Sequence, residues 1–390
     1  MTACISPTID PVTNEQVSDA LDLAVDLVRR NLPEFTHAAR NHSSVGNFYP
    51  TCANDQWTCG FWPGQIWLAY ERSGDQAFLD AAQVQVKDFH HRVENRIAVD
   101  HHDMGFLYSP SCVAAYRLTG DRLAREAAIL AADRLMDRFQ PVGGFIQAWG
   151  AFGAPENYRF IIDCLMNLPL LYWATEETGD SRYRDVARIH TVTCLENSIR
   201  PDFSTYHTFF MDPVTGKPSH GATCQGYSDD SPWTRGQAWS IYGVALAYKV
   251  ERVEEKRELF DRLLCFYLKK LPEDLVPYWD LMFTSGTEEP RDSSSASIVA
   301  CGLLEMALHV DEVAAATYRD LARRMVASLV RSYAVTDPAV SNGLVLHGTY
   351  SKKTPFNTCT PEGVDECVIW GDYFYMEALT RLSSNWVSYW

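Results

Sequence analysis

Apolar residues recur along this chain at helical spacing, and the recurrence has a repeating form. IWLAYERSGDQAFLDAA (66–82) sets an apolar helical stripe, turns at Ser-Gly-Asp and begins a second stripe. CVAAYRLTGDRLAREAAILAADRL (112–135) repeats the form with Thr-Gly-Asp, and LLYWATEETGDSRYRDVARIH (170–190) does so again. In each, the Gly supplies a left-handed helix end and the Asp caps the helix that follows. Three weaker copies are YGVALAYKVERVEEKRELFDRLL (242–264), GLLEMALHVDEVAAATYRDLARRM (302–325) and YFYMEALTRL (373–382). The first helices end near Tyr70, Tyr116, Tyr172, Tyr248, Ala307 and Leu379, at intervals of 46 to 76 residues. That spacing is too irregular for an open solenoid of short repeats. Six hairpins predict instead an all-α closed toroid, an (α/α)6 barrel of six inner and six outer helices, with residues 1–390 as a single domain. Strand signals are sparse.

Long segments dense in Gly, Pro, Trp, His and Asp separate the hairpins, among them QAWGAFGAPENYR (147–159) and DPVTGKPSHGATCQGYSDDSPWTRG (212–236). Loops of this length are functional or disordered, and these are too aromatic for disorder, so the active site is expected among them. Four stretches lie just before or at the start of an inner helix: DQWTCGFWPGQIWLAY (55–70), HHDMGFLYSPS (101–111), FIIDCLMNLPLLYW (160–173) and GYSDDSPWTRGQAWSIYG (226–243).

The third stretch sets Asp163 in an oily run, where a carboxylate is costly unless paired, protonated or used. Pro169 suits the first turn of a helix, which puts Asp163 at or before the helix start. Asp103 is the second isolated acid. An aspartate in such a position is most often an N-cap. If the two helices share one mouth, both acids cannot ionise freely, and one is expected to stay protonated despite the opposing helix dipole. Trp57 and Trp62 occupy a Gly/Pro-containing turn, where aromatic faces suit sugar rings. His101, His102 and Asp103 are adjacent, and adjacent residues rarely converge on one ion, so no metal is expected. RDSSSASIVACGLLEMA (291–307) reads as a cap followed by an inner helix, and SKKTP (351–355) as a solvated basic turn able to meet an anion.

Composition narrows the partners. With 46% hydrophobic and 22% charged residues the chain reads as an ordinary globular protein. Its net charge of −16 makes nucleic acid and anionic membranes poor partners, and an anionic substrate would need a local basic pocket. Eleven scattered cysteines without a Cys-x-x-Cys pair read as buried reduced thiols. The start MTACISPTIDPVTNEQ lacks a leader pattern and no apolar run approaches about 18 residues, so a cytoplasmic location is expected.

Taken in order, FWPGQIWLAYE, HHDMGFLYSPS, FIIDCLMNLPLLYWA, STYHTFFMDPVTG, GATCQGYSDDSPWTRGQAWSIYG, PRDSSSASI and DECVIWGDYFYMEAL run almost end to end. With these motifs the chain resembles the unsaturated glucuronyl hydrolases, glycoside hydrolase family 88. The resemblance implies an (α/α)6 barrel without a cofactor. It also implies a substrate that is a lyase-generated oligosaccharide ending in a 4,5-unsaturated glucuronate. Such enzymes hydrate the C4=C5 enol ether, unlike glycosidases that attack the anomeric carbon. On this resemblance Asp163 is the general acid/base and Asp103 the second carboxylate. His102, His207, Gln225, Arg235 and Trp239 surround the unsaturated ring and its carboxylate, and Trp57 packs on that ring. Arg235 would supply the positive charge that the whole chain lacks.

Several members acting on sulfated glycosaminoglycan fragments carry a Ser-x-x-Ser-x-Lys run before the last motif. Here the region reads YSKKTPFNTCTPEGVDEC: Ser351 is retained, Thr354 replaces the second serine, and Phe356 stands where the lysine would be. Lys352 and Lys353 are the nearby cations, and a preference for 6-sulfated disaccharides is not implied. Two other enzymatic readings share the toroid: an unsaturated rhamnogalacturonyl hydrolase acting on pectin fragments, and a sugar 2-epimerase using His101, His102 and His207. A carbohydrate-binding scaffold is the non-enzymatic alternative. The sequence leaves monomer or homo-oligomer open.

Overall fold

Gly74, Gly120 and Gly179 end three helices with φ of 67°, 71° and 78°, the left-handed conformation that the Gly-Asp turns require. The aspartates that follow do the capping: Asp75, Asp121 and Asp180 accept from the backbone N–H groups of Ala77, Leu123 and Arg182. These turns belong to a computed structural model that describes residues 9–390. Residues 1–8, with Cys4 and the first half of the segment read for a leader, lie outside the described residues.

In chain order the helices are α1 (Asn14–Phe35), α2 (Phe61–Ser73), α3 (Gln76–Glu94), α4 (Met104–Tyr108) and α5 (Ala114–Thr119). Then come α6 (Arg122–Met136), α7 (Cys164–Asn167), α8 (Pro169–Thr178), α9 (Ser181–Ser198) and α10 (Thr234–Glu251). The last four are α11 (Glu254–Leu268), α12 (Ser293–Ala307), α13 (Glu312–Ser328) and α14 (Ile369–Ser383). A π-helical turn, Ser109–Val113, joins α4 to α5 around Pro110. Pro169 opens α8 as expected, but Asp163 precedes the extra turn α7 rather than α8 itself.

The inner ring runs α2, α4–α5, α7–α8, α10, α12, α14, each packed on the next, and α14 packs back on α2. Every residue of α12 is buried, as are Thr234 through Tyr248 of α10 and Ile369 through Thr380 of α14. A helix apolar all round is a core helix. The outer helices bury only one stripe, such as Phe78, Ala82, Val86, Phe89 and Val93 of α3. Each fully buried large apolar side chain adds about 1.5–3 kcal/mol, and the shared core supplies it along the whole ring.

The sixth hairpin is built from the two ends of the chain. Its inner helix is α14, and its outer helix is α1, which packs on α14. The 373–382 pattern alone could not show this, although Thr13 and Gln16 form a capping box and Val17, Leu21, Ala24 and Val28 make a buried stripe.

Among the described residues, the segments between hairpins carry four small antiparallel sheets that the apolar pattern did not announce. The one that matters most pairs Arg159–Ile161 with Thr208–Met211, and the latter with Pro218–Ala222. Another pairs Gly348–Ser351 with Glu362–Glu366. Among the described residues no helix is long and apolar enough to cross a membrane. Nine cysteines among the described residues are unbonded thiols, seven of them buried.

Candidate active site

The N-terminal ends of the inner helices converge on one mouth. Trp57, just before α2, stacks on Trp370 at the start of α14, with centroids 5.4 Å apart and planes at 27°. Trp370 in turn lies under the guanidinium of Arg235, at the start of α10, 4.9 Å away. Asp103 and Asp163 precede α4 and α7. Helix N-termini carry partial positive charge, so the mouth favours an anion despite the net charge of −16.

Sheet register brings the acids together. Ile161 pairs with Thr208, and Ile162 N–H donates to the His207 carbonyl at 3.1 Å, which seats Asp163 beside His207. Ala148 N–H donates to the Arg159 carbonyl and His102 N–H to the Ala148 carbonyl, so the segment before Asp103 is tied to the same sheet. From the other side, Gly105 lies so close to Asn167 that a Cβ there would sit 2.3 Å from its Cα. That contact locks α4 against α7.

Asp103 and Asp163 both hold N-cap positions, yet neither side chain caps its helix. They turn instead toward His102, whose Nε2 is 3.2 Å from Asp103 Oδ1 and 3.5 Å from Asp163 Oδ1. One atom from each of the three residues lies within 4.8 Å of the other two. His102 is 1% exposed, Asp103 8% and Asp163 9%. Burial pushes the Asp163 carboxyl well above its usual range, and the charge on Asp103 adds to this, against a smaller pull from Arg235. Burial also opposes charge on Asp103. There the neighbouring His102, His101 and the Asn167 amide outweigh it and hold the carboxyl below its usual range. Burial pushes the His102 imidazole down to about 4. The result is one protonated and one ionised carboxyl side by side around a neutral imidazole. Three groups this close are of the size that could hold a metal ion, with His102 and Asp103 adjacent in sequence and Asp163 brought in by the sheet.

Among the other sequence-predicted residues, Arg235 is close enough for its charge to act on Asp163, and His207 is tied to the strand that carries it. His207 Nδ1 accepts from the backbone N–H of Cys224 at 2.8 Å and of Gln225 at 3.2 Å, so its proton sits on Nε2. Burial, with Arg235 and Arg159 nearby, pushes its imidazole down to about 3. Gln225 is half-buried, with its backbone spent on His207. Trp57 is half-buried, and its indole N–H donates to the Tyr350 hydroxyl at 3.1 Å. Trp239, at 1% exposure, packs against Phe374 and against Phe106, which Trp57 also meets from its own side. Trp62 is fully buried and donates to the Phe35 carbonyl, so it is core rather than a sugar platform.

Arg235 is more engaged than the sequence suggested. It is 1% exposed, pairs with buried Asp292 at 3.0 Å, and donates to the Thr349 and Tyr350 carbonyls. Asp292 therefore neutralises much of its charge. Ser351 is buried and donates to the Thr360 carbonyl. The SKKTP turn is solvated only in part: Lys353 and Pro355 are exposed, while Ser351 and Thr354 are buried, Lys352 pairs with Glu289 and Lys353 donates to the Asn357 carbonyl.

Three residues at the mouth escaped the sequence reading. Trp149 faces His102 edge-on at 6.5 Å, and Arg159 lies 4.5 Å over its ring. Both belong to the 147–159 segment flagged as functional, but nothing in its pattern singles them out. Asn167 is buried. Its Oδ1 accepts from Phe106 N–H at 2.9 Å, and its amide reaches the Asp163 carbonyl at 3.5 Å. A separate cavity of about 100 Å³ lies between α8 and α10, lined by Leu165, Pro169, Tyr172, Leu246 and Trp390. Its cations Arg117 and Lys249 are bound to the carbonyls of Ser388 and Trp390, and it has no carboxyl pair.

Comparison with known proteins extends over nearly the whole chain. The sequence profile of Glycosyl Hydrolase Family 88 matches residues 33–378. An unsaturated chondroitin disaccharide hydrolase of Streptococcus pneumoniae is 45% identical over 97% of this chain and 95% of its own. An unsaturated glucuronyl hydrolase of a Bacillus species is 42% identical over 95% of this chain and 98% of its own. The crystal structure of an unsaturated glucuronyl hydrolase from Streptococcus agalactiae superposes with a TM-score of 0.93 at 45% identity, covering 97% of this chain and 95% of that one.

Proposed function

Because the chain belongs to glycosyl hydrolase family 88, we propose that the acid pair at its mouth releases a 4,5-unsaturated glucuronate from the non-reducing end of lyase-generated oligosaccharides. The protein is an unsaturated glucuronyl hydrolase, an enzyme of polysaccharide degradation.

The bond to be broken is reached through an alkene. Asp163 donates its proton to C4, and positive charge develops at C5 and the ring oxygen. Ionised Asp103 faces that charge and lowers its energy. Water then adds at C5 and gives up a proton to the Asp163 carboxylate, which restores the acid. The C5 hemiketal opens, the ring is lost, and the neighbouring sugar leaves. Proton transfer to carbon is slow in water, so the donor must be held protonated and close, and a desolvated acid beside a carboxylate meets both needs. His207 presents an Nε2–H donor, and with the helix N-termini and Arg235 it suits the uronate carboxylate. Trp57 and Trp149 give the ring its apolar walls.

The observation that carries this reading is the acid pair within 4.8 Å, one carboxyl pushed up and the other held down. An epimerase would need two histidines exchanging protons, and the backbone N–H groups on His207 Nδ1 leave it unsuited to that role. The reading places the enzyme in the cytoplasm, where its unbonded thiols stay reduced. The test is the loss of ultraviolet absorbance from the conjugated C4=C5 bond when unsaturated disaccharides are offered to the parent and to Asp163→Asn. Turnover by the parent and none by the variant is expected; undiminished turnover by the variant removes Asp163 from the mechanism.

A further inference from the structure

Arg159 carries a charge that no acid answers, in a chain with 50 acidic residues against 34 lysines and arginines. Among the described residues its side chain stands in no ion pair and no hydrogen bond, and its Nε is buried without a partner. Burial pushes the guanidinium down, and the Cys224 thiol is the group that pulls the other way. An arginine keeps its charge in a protein, so a half-buried one is costly until an anion meets it.

The guanidinium is held in place without such a partner. It lies over two rings, 4.5 Å from Trp149 and 5.1 Å from Phe210. Phe210 is its cross-strand neighbour and stacks on His220, 4.8 Å away with planes at 6°. Trp149 belongs to a loop pinned by buried Gln147, which donates to the Trp149 and Ala151 carbonyls and accepts from Gly153 N–H. The same contacts put the cation at the mouth. Trp149 faces His102, whose Nε2 lies 3.2 Å and 3.5 Å from the two acids. Burial is the main reason that the His102 and His207 imidazoles are pushed down, and the Arg159 charge adds to it at both. One cation therefore acts on the histidine between the acids and on the histidine that offers an Nε2–H donor. Arg235, by contrast, is shared with Asp292 and two carbonyls.

We propose that Arg159 is the counter-charge that recognises the carboxylate of the unsaturated uronate and sets the preference for an acid over a neutral sugar. The proposal rests on the hydrolase reading above and names the residue that meets the acid end of that substrate. A guanidinium presents two parallel donors, which is the geometry a carboxylate accepts.

The test is calorimetry in the Asp163→Asn background, so that no ligand is consumed. The ligands are an unsulfated unsaturated disaccharide and its uronate methyl ester, which differ in one charge. Arg159→Gln removes the cation. Arg159→Met removes it too but keeps a polarisable side chain over both rings, and it serves where the first change disturbs folding. Either change is expected to raise Kd for the acid about 10–100-fold and to leave Kd for the ester within about twofold. Arg159→Lys, which keeps the charge, should fall between. Raising salt should weaken binding of the acid, and most of that dependence should vanish with the cation. An equal rise for acid and ester, or no rise for the acid, would overturn the assignment. Turnover tests the hydrolase reading separately. A parent that prefers the acid through Arg159 yet leaves the C4=C5 bond intact would overturn that reading and uphold the counter-charge.

Discussion

Asp75, Asp121, Asp180 and Asp311 cap helices with their side chains, while Asp103 and Asp163 hold the same position and withhold theirs. A cap adds about 1 kcal/mol, so stability alone favours turning a carboxylate onto its own helix. Asp163 also loses stability as pH rises. Its folded pKa lies above the unfolded value near 3.8, so its favourable contribution is complete below that value and disappears as pH climbs to the raised pKa. Asp163→Asn should therefore melt at a higher temperature than the parent, by a margin that grows with pH across that window and then levels. Its kcat should fall at least about a thousandfold, while calorimetric affinity for the disaccharide holds. A melting difference that does not change with pH would show that Asp163 is not held protonated. Asp103→Asn removes the neighbouring charge that helps to raise Asp163. On the proposed mechanism Asp163 acts as the acid, so the basic limb of kcat/KM should move to lower pH in this variant, with kcat strongly reduced. A limb that stays in place would mean that burial alone sets the Asp163 pKa.

The acids are useful only because α4 and α7 are held in register. Gly105 permits the close approach, and Asn167 fixes it by accepting from Phe106 N–H. Asn167→Ala strands a buried N–H, at a cost of about 1–3 kcal/mol in urea unfolding, and takes away one of the groups favouring ionised Asp103. The acid limb of kcat/KM, set by Asp103, should then move to higher pH; a stability loss without this shift would make Asn167 a packing residue only. Elements of this kind mark the boundary of what was legible in the sequence. The Gly-Asp turns announce three hairpins outright because turn and cap are local chemistry. The first helix of the fourth hairpin, α10, ends at Arg252 with φ 53° and no glycine, which is why its copy was faint. The acid pair and His207 were legible through motifs with a fixed chemical order. Asn167, Trp149 and Arg159 were not, because each acts through a partner that only the folded chain brings near. The engagement of Arg235 with Asp292, fifty-seven residues away, was hidden for the same reason.

At the scale of the whole molecule, the ring has to close, and its ends are far apart in sequence. The far side of the barrel shows how closure is secured. Arg381 on α14, 4% exposed, pairs with Glu305 on α12 at 2.9 Å and Glu377 at 2.9 Å, and donates to the Tyr242 hydroxyl on α10 at 2.7 Å. Trp390 donates to the other Glu377 oxygen at 2.8 Å, so the last residue is tied to the same cluster. Burial would raise the Glu305 carboxyl, but Arg381, His309 and Lys249 outweigh it and hold it well below its usual range. Three neighbouring inner helices thus share one cation. Arg381→Met removes the one cation shared by two buried carboxylates and leaves Glu377 without its ion pair and Glu305 with only His309 and Lys249, a loss of about 3–5 kcal/mol at neutral pH. The sign with pH is distinctive. In the parent, a depressed Glu305 adds stability above its unfolded pKa and loses it on acidification, whereas in the variant the stranded carboxylates take up protons as pH falls, so the deficit should shrink toward acid pH. Urea unfolding of both proteins at neutral and weakly acid pH reads this directly. The acid pair precedes α4 and α7, two helices outside this cluster, so kcat of the folded variant should match the parent. A deficit independent of pH, or a fall in kcat well below the melting temperature, would mean that the cluster shapes the mouth and does more than close the ring.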